Sequence, residues 1–537
     1  MKLTFIGADH EVTGSMHLLE TDDLKILIDC GMEQGRNIYC SAELPVSYGE
    51  IDYIIATHAH IDHTGMIPKA YLQGFNGTIL CTKASYDLDS IMLLDSAHIQ
   101  ETEAEYKNRK GQRQGKEPVV PEYTVEDAEK CLKLFRGIKY HEDIELSDTV
   151  SVRFIDAGHI LGSASVIFTV KEDGKEKKIV FSGDIGNKSK PIIRDPEYIT
   201  EADYVIMEST YGDREHGEER DHVSDLARII QETLDRRGNI LIPAFAVGRT
   251  QELLYMIREI KEKGLVKGHD NFPVYVDSPM AVRATGVFTE DMEECYDKET
   301  AALVRKGINP IGFTGLILSV TNEESVAINS NPEPKVIISA SGMCDAGRIR
   351  HHIKHNLWRP ECSIVFAGYQ AEGTLGRVLQ DGEVESVKLF GEEIKVAAHI
   401  ETMGGMSSHA DVHGLLEWAK AFVTPGRQYF LVHGDDDSME NLSALIEEET
   451  GCSVECPFSG SVFDLSKGEF IYRAEPVLVQ KKTAIEIRND SVKRDLDNAL
   501  DKLKSIADEN KVGTNKDMRR LTEDILRLVN KWTDRVF

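Results

Sequence analysis

The run His58-Ala59-His60-Ile61-Asp62-His63 crowds four potential metal ligands into six residues, directly after the apolar stretch Tyr53-Ile54-Ile55-Ala56. An apolar stretch of that length ending on polar residues reads as a strand with a loop at its end. One tight cluster cannot close around two metals, so the fold must bring further ligands to the same place. The sequence repeats the design at three more strand ends: Phe154-Ile155-Asp156-Ala157-Gly158-His159, Ile179-Val180-Phe181-Ser182-Gly183-Asp184 and Tyr429-Phe430-Leu431-Val432-His433-Gly434. Imidazole nitrogens suit zinc, and a carboxylate supplies charge and can help hold a second ion. Asp29, closing the strand Lys25–Ile28, stands where it can hold a ligand histidine from behind. Each of these alone is an ordinary capped turn. Taken as a set they describe a metal centre at the edge of a sheet.

The first hundred or so residues read as short strands joined by tight turns, with Leu3–Phe5, Lys25–Ile28 and Tyr53–Ala56 as strand-length pieces. Residues 101–125 lack apolar periodicity and carry Lys107, Arg109, Lys110, Arg113 and Lys116. They read as an exposed loop or helix end, a solvated segment whose alternative use is contact with a phosphate backbone. From Asp203 onward strands alternate with helices. Tyr204–Met207, Asn239–Pro243, Val274–Val276 and Val336–Ser339 are the strands, and Val223–Arg236 and Arg249–Lys261 the helices. That alternation predicts a parallel α/β layer.

The character changes again at Pro476. Residues 476–537 hold 14 Lys and Arg against 11 Asp and Glu, whereas the residues before them hold 48 against 80. Val492, Leu496, Leu500, Leu503 and Ile506 fall at helical spacing, as do Leu521, Ile525, Leu528 and Trp532 after the Gly513-Thr514-Asn515 break. A helical pair with an apolar face must bury it against the body or a second subunit, which makes the extension a candidate homodimer contact.

The net charge of −29 opposes broad, charge-driven attraction to nucleic acid and leaves room only for a local basic channel. No apolar run approaches the roughly 18 residues of a membrane span, so no membrane partner is expected. Met1 to Gly7 shows no signal-peptide pattern. Nine scattered cysteines without a CxxC pair suit reduced thiols in a cytoplasm.

The motif order resembles the metallo-β-lactamase fold. More specifically, Pro243-Ala244-Phe245-Ala246-Val247-Gly248-Arg249, Asp277-Ser278-Pro279-Met280, Ser339-Ala340-Ser341-Gly342-Met343 and Gly368-Tyr369-Gln370-Ala371-Glu372-Gly373-Thr374-Leu375-Gly376-Arg377 resemble the β-CASP subgroup. They are most similar to its bacterial and archaeal branch, which is related to the endonuclease subunit of the cleavage and polyadenylation specificity factor. The resemblance runs from Met1 to about Arg473. It implies an α/β protein, an αββα sandwich formed by residues 1–208 and 396–475, with an inserted parallel α/β domain at 209–395 and a helical extension at 476–537. It implies two Zn2+ per chain, one held by His58, His60 and His159, the other by Asp62, His63 and His433, with Asp184 bridging. Glu208 matches the family's first additional motif, His409 its second and His433 its third, where histidine goes with RNA enzymes. Asp29, Glu208 and His409 complete the implied catalytic set. Met406-Ser407-Ser408-His409 departs from the Phe-Ser-Ala-His common in relatives.

These assignments imply a ribonuclease with an RNA substrate. A water between two zinc ions becomes hydroxide near neutral pH, since zinc lowers its pKa to roughly 7. In-line attack leaves the departing oxygen in need of a proton. His409 is the candidate acid, and Glu208 the carboxylate that orients it and favours its charged form. The resemblance implies 3′-hydroxyl and 5′-phosphate products, with endonuclease activity favoured over 5′-to-3′ exonuclease activity. The turn containing Ser341 and Gly342 is a candidate anion cradle and Arg377 a candidate bidentate phosphate contact. Their structural alternatives are a tight strand–helix connection and an ion pair. His351, His352 and His355, beside Arg348, Arg350 and Lys354, read as a basic helix face rather than a metal site. Three rivals stand beside the ribonuclease. A small-molecule ester or thioester hydrolase of the same fold needs no inserted domain. A catalytically silent RNA-binding scaffold loses ligands, yet all seven positions are present. A DNA nuclease is disfavoured by His433.

Overall fold

The computed structural model describes every residue except 36, 113–117, 173, 218–220, 290–293, 480–499, 501–502, 506–514 and 537. Two sheets form the body. Strands Lys2–Gly7, Met16–Glu20, Lys25–Ile28, Tyr53–Ile55, Thr78–Thr82 and Phe135–Ile138 lie side by side in one, extended beyond Lys2–Gly7 by Val462–Asp464 and Glu469–Tyr472. The other runs Ser453–Glu455, Gln428–Val432, Tyr204–Glu208, Lys175–Phe181, Ala164–Glu172, Val150–Asp156, Ile144–Glu145. One apolar core joins their facing sides. Leu3, Phe5 and Ile28 meet Phe154, Phe168 and Phe181 there, and the Phe5 and Phe430 ring centroids are 5.3 Å apart.

Helices cover both outer faces. Ile67–Leu72, Lys83–Gln112 and Val125–Cys131 back the first sheet. Val412–Lys420 and Asp436–Thr450 back the second, with Trp418, Leu415 and Leu442 fully buried. The result is the expected αββα sandwich.

The inserted layer is a six-stranded, all-parallel sheet, ordered Leu316–Ser319, Val274–Asp277, Val336–Ser339, Ile240–Pro243, Ser363–Phe366, His399–Thr402. Its three central strands are buried at every residue, which is why they read as unbroken apolar runs. His399–Thr402 pairs with Ser363–Phe366, so this sheet runs past residue 395. The chain leaves the body after Tyr204–Glu208 and returns to Gln428–Val432, which pairs with that same strand in parallel register, Glu208 opposite Val432.

The residues before 113 differ from the sequence reading. Lys83–Gln112 is a single 30-residue helix. Its inner side buries Ala84, Leu88, Met92, Leu93, Ala97 and Ala104, and the spacing is helical although polar residues dilute it. Lys107, Arg109 and Lys110 belong to its last turns, where cations face the negative end of the helix. Arg113 and Lys116 lie outside the described residues. In the extension, Asn515–Val536 is a helix with Leu526 and Leu528 each 54% exposed. Val492, Leu496 and Ile506 lie outside the described residues. The start of the extension joins the body. The Cys40 N–H donates to the Val477 carbonyl at 2.8 Å and the Val479 N–H to the Ile38 carbonyl at 2.9 Å.

Candidate metal centre

The three later strand ends singled out in the sequence, together with Asp29 and the loop at His58–His63, converge at one edge of the sandwich. Several turns that aim these side chains use left-handed backbone: Asp29 at φ +58°, Gly158 at +64°, Gly183 at +58° and His433 at +50°. At Gly183 a Cβ would stand 2.8 Å from the Ala164 carbonyl oxygen, so only glycine fits before Asp184. His433 adopts that region at a cost of order 1–2 kcal/mol. Its N–H is held by the Ala8 carbonyl at 2.6 Å, and its Nδ1 lies 3.0 Å from the Thr210 hydroxyl.

The ligand atoms fall into two groups. In the first, His60 Nδ1 lies 3.0 Å from His58 Nε2 and 3.2 Å from His159 Nε2. Asp184 Oδ2 lies 3.3 Å from His58 Nε2 and 3.5 Å from His159 Nε2. In the second, His63 Nε2 lies 3.3 Å from both His433 Nε2 and Asp184 Oδ1. His433 Nε2 is 3.6 Å from Asp62 Oδ2 and 3.8 Å from Asp184 Oδ1. Ligands about 2.0–2.1 Å from a tetrahedral zinc are separated by about 3.3 Å from one another. Most of these spacings lie within a few tenths of that edge. Imidazole nitrogens facing one another at such distances have no proton arrangement that satisfies them all, whereas a cation does. Asp184 Oδ1 is also buried without a hydrogen-bond partner. The donor set therefore fits bound metal.

Behind the ligands the support is specific. His63 Nδ1–H donates to Asp29 Oδ2 at 2.7 Å, and Asp29 also accepts from the Thr57 N–H at 2.8 Å and the Thr57 hydroxyl at 3.0 Å. Asp29 thus stands behind His63 and fixes its orientation. Burial pushes the His60 pKa down to about 3 and takes those of His58 and His159 below their ordinary value. At His63 and His433 burial acts the same way, but Asp184, with Asp29 at His63 and Asp62 at His433, outweighs it and raises both.

Glu208 and His409 meet beside this centre. His409 Nδ1 is 3.1 and 3.2 Å from the two Glu208 carboxylate oxygens, and its Nε2 points inward, 3.9 Å from Asp184 Oδ2. Glu208 is fully buried and also accepts from the Ile185 N–H at 2.5 Å and the Thr210 N–H at 3.3 Å. Burial opposes a charged His409, yet Glu208 and Asp184 overcome it and lift its pKa to about 9.

The suggested phosphate contacts have partners within the chain. Arg377 Nε donates to Asp381 at 2.7 Å, one turn along its own helix. The Ser341 N–H points at the Ala346 carbonyl, and Gly342 is buried beneath the Phe245 ring. His351 and His355 are exposed as expected, but His352 is core, 2.7 Å from Asp277 Oδ2 and 2.9 Å from Asn329 Oδ1. Sequence reasoning missed Thr57 and Lys190. Lys190 Nζ donates to the His159 carbonyl at 3.1 Å and pairs with Glu252 at 2.9 Å, and Glu252 also pairs with Arg249. This buried triad ties a ligand turn to the inserted layer.

The chain matches the metallo-beta-lactamase superfamily domain over residues 18–206, the Beta-Casp domain over 250–379 and the Zn-dependent metallo-hydrolase RNA specificity domain over 393–457. It is 35% identical to Ribonuclease TTHA0252 of Thermus thermophilus over 452 residues, 83% of this chain and 96% of that protein. It is 31% identical to Transcription termination factor FttA of Methanocaldococcus jannaschii over 469 residues, 84% of this chain and 70% of that protein. On these matches, and on a fold and ligand arrangement that agree with them, the chain belongs to the β-CASP branch of the metallo-β-lactamase family.

Proposed function

We propose that this chain is a zinc-dependent ribonuclease that hydrolyses phosphodiester bonds of RNA with two Zn2+ per chain. The observation that carries the reading is the placement of Asp184: one carboxylate oxygen faces His58 and His159, the other His63 and His433. In this reading His58, His60 and His159 would hold one ion and Asp62, His63 and His433 the other, with Asp184 within reach of each. Bound there, the ions would supply positive charge against the scissile phosphate and make the attacking water more acidic. His409 gives a proton from Nε2 to the departing 3′ oxygen. Glu208 keeps that imidazole charged and its Nε2 turned inward. Asp29 and Thr210 fix the rotation of His63 and His433. The products carry 3′-hydroxyl and 5′-phosphate ends, and cutting is endonucleolytic.

RNA is favoured over a small ester or thioester by the match to an RNA specificity domain and by the six-stranded layer built beside His409. A catalytically silent scaffold does not account for seven converging ligands. The ribonuclease relative is matched along nearly its whole length and the termination factor along 70% of its own, which favours the ribonuclease reading. The strand pairing supports body segments 1–208 and about 403–475 around an insert that ends near Thr402, followed by the extension at 476–537. The exposed Leu526 and Leu528 support a homodimer contact in that extension. Nine unpaired cysteines suit a cytoplasmic protein, and no helix among the described residues is long and apolar enough to cross a membrane.

The test is incubation of 5′- and 3′-labelled RNA with zinc-loaded and chelator-treated protein. Internal fragments that vanish with chelator are expected. Activity indifferent to chelator would remove the metal from the mechanism, and products shortened only from the 5′ end would make the enzyme an exonuclease.

A further inference from the structure

Four imidazoles turn Nε2 toward the other ligand atoms: His58, His63, His159 and His433. On three of them the far nitrogen is held. His63 Nδ1 meets Asp29 at 2.7 Å, His433 Nδ1 the Thr210 hydroxyl at 3.0 Å, and His58 Nδ1 the Thr57 hydroxyl at 3.2 Å. His159 differs. It is fully buried, and its Nδ1 has no hydrogen-bond partner among the described residues. A ligand histidine is ordinarily aimed by the partner of its second nitrogen. Without one, the aim of His159 depends on how its turn is held. The His159 N–H donates to the Ser163 hydroxyl at 2.9 Å, and the His159 carbonyl accepts from Lys190 Nζ at 3.1 Å.

Lys190 belongs to the sandwich by sequence, yet its segment is bonded to the insert. The Ile192 carbonyl accepts from the Asp297 N–H at 2.9 Å, and the Arg194 N–H donates to the Cys295 carbonyl at 3.2 Å. Arg194 Nε donates to the Tyr296 carbonyl at 3.0 Å, and Ile193 pairs with Tyr296 as an isolated bridge. Lys190 Nζ itself pairs with Glu252 at 2.9 Å, and Glu252 pairs with Arg249, both on the first turn of the helix Arg249–Glu262. These three side chains are at most 10% exposed. Ser189 and Ile192, on either side of Lys190, adopt left-handed backbone at φ +58° and +81°. For a β-branched residue such as Ile192 that conformation is rare and persists only where the surroundings impose it. The bonds from residues 295–297 impose it here.

We propose that Lys190 is a positioning residue that aims the ligand His159 in place of a partner at Nδ1, and that the insert, which holds Lys190 through Glu252 and through its segment, thereby governs how tightly the ion at His58, His60 and His159 is bound. This rests on the two-zinc reading and adds control of one of the two ions by the inserted domain.

The test is zinc affinity, measured on full chains by competition with a chelator. Lys190→Met removes the donor and its charge while Glu252 keeps Arg249, so no buried carboxylate is left unpaired. It should weaken one of the two zinc equivalents about 10-fold to 100-fold and leave the other at its wild-type affinity. Added to Asp62→Asn, which weakens the other group, it should loosen the ion that remains; added to His60→Ala, it should change nothing further. Glu252→Gln keeps the donor but loosens its anchor in the insert, and should weaken the same ion. Equal weakening of both ions, or of neither, would overturn the inference. So would a Glu252→Gln protein that binds both ions as wild type does, since the insert would then have no part. A wild type that binds no zinc removes the two-zinc reading and Lys190 with it, whereas two tight ions in both wild type and Lys190→Met remove Lys190 alone.

Discussion

Replacing Glu208 with glutamine removes one buried negative charge and little else. The amide oxygen can still accept from the Ile185 N–H, and the change loses the long 3.3 Å bond from Thr210 and one of the two contacts to His409 Nδ1, a cost of about 1–3 kcal/mol that a large domain survives. The effect on His409 is larger. Its pKa stands at about 9 because Glu208 and Asp184 outweigh burial. Without Glu208 only Asp184 and Asp62 oppose burial, and the pKa falls toward the ordinary value of about 6.5. At that value the imidazole is about one-tenth protonated at pH 7.5 instead of almost wholly so, and an acid that must give up a proton works up to roughly tenfold more slowly. The sign follows from the active form being protonated. Activity falls as pH rises through the His409 pKa, so the variant loses activity at lower pH than wild type and recovers near pH 6. The assay is kcat on RNA from pH 5.5 to 9.5. His409→Ala sets the floor, 100-fold to 10,000-fold below wild type with zinc retained. A Glu208→Gln profile that superimposes on wild type after scaling would refute the coupling, and a His409→Ala protein that has lost zinc would make His409 a ligand.

Asp184→Asn should lose both metals together, since each oxygen serves one ligand group; metal analysis of the purified variant checks this, and retention of one full equivalent would contradict it. His58→Ala should abolish cleavage while the protein stays folded by circular dichroism, and wild-type activity would break the metal assignment. As pH falls, protons should displace metal from the group holding His63 and His433 first, because their raised pKa values let protons compete near neutrality, whereas the lowered values of His58, His60 and His159 defer that to stronger acid. Zinc content after dialysis at stepped pH should fall in two stages, and a single stage would count against this ordering. Truncation after Val479 keeps the bonds by which Val477 and Val479 hold the segment from Ile38 to Cys40; light scattering should show a halved mass, and an unchanged mass would remove the extension from dimerisation.

The ligand turns were legible because each follows an apolar strand buried on its inner face and ends on a residue whose chemistry is hard to explain otherwise. The insert was legible for the same reason: strands such as Val336–Ser339 are covered on both faces and admit only apolar residues. Lys83–Gln112 was not, because its buried residues are small or interleaved with charge, so the apolar stripe is faint. The Arg377–Asp381 pair was one of two readings open for Arg377, since an aspartate one turn later lies within reach on the same helix face. Thr57 and Lys190 gave no signal. Their roles depend on partners far along the chain, Asp29 and Glu252, and only the folded topology brings them together.

The junctions of the insert have a consequence for how such proteins change. The outgoing neck begins at Glu208, the returning neck carries His409, and the two are hydrogen-bonded where the necks cross. The proposed proton donor is therefore assembled by closing a loop of some two hundred residues, much as a clasp closes a necklace. Both residues stand on the body side of that loop, where His409 pairs with Gly186 and the Ala410 N–H donates to the Ile185 carbonyl. A lineage could therefore exchange the inserted layer and keep the pair, changing what reaches the centre without rebuilding the proposed acid.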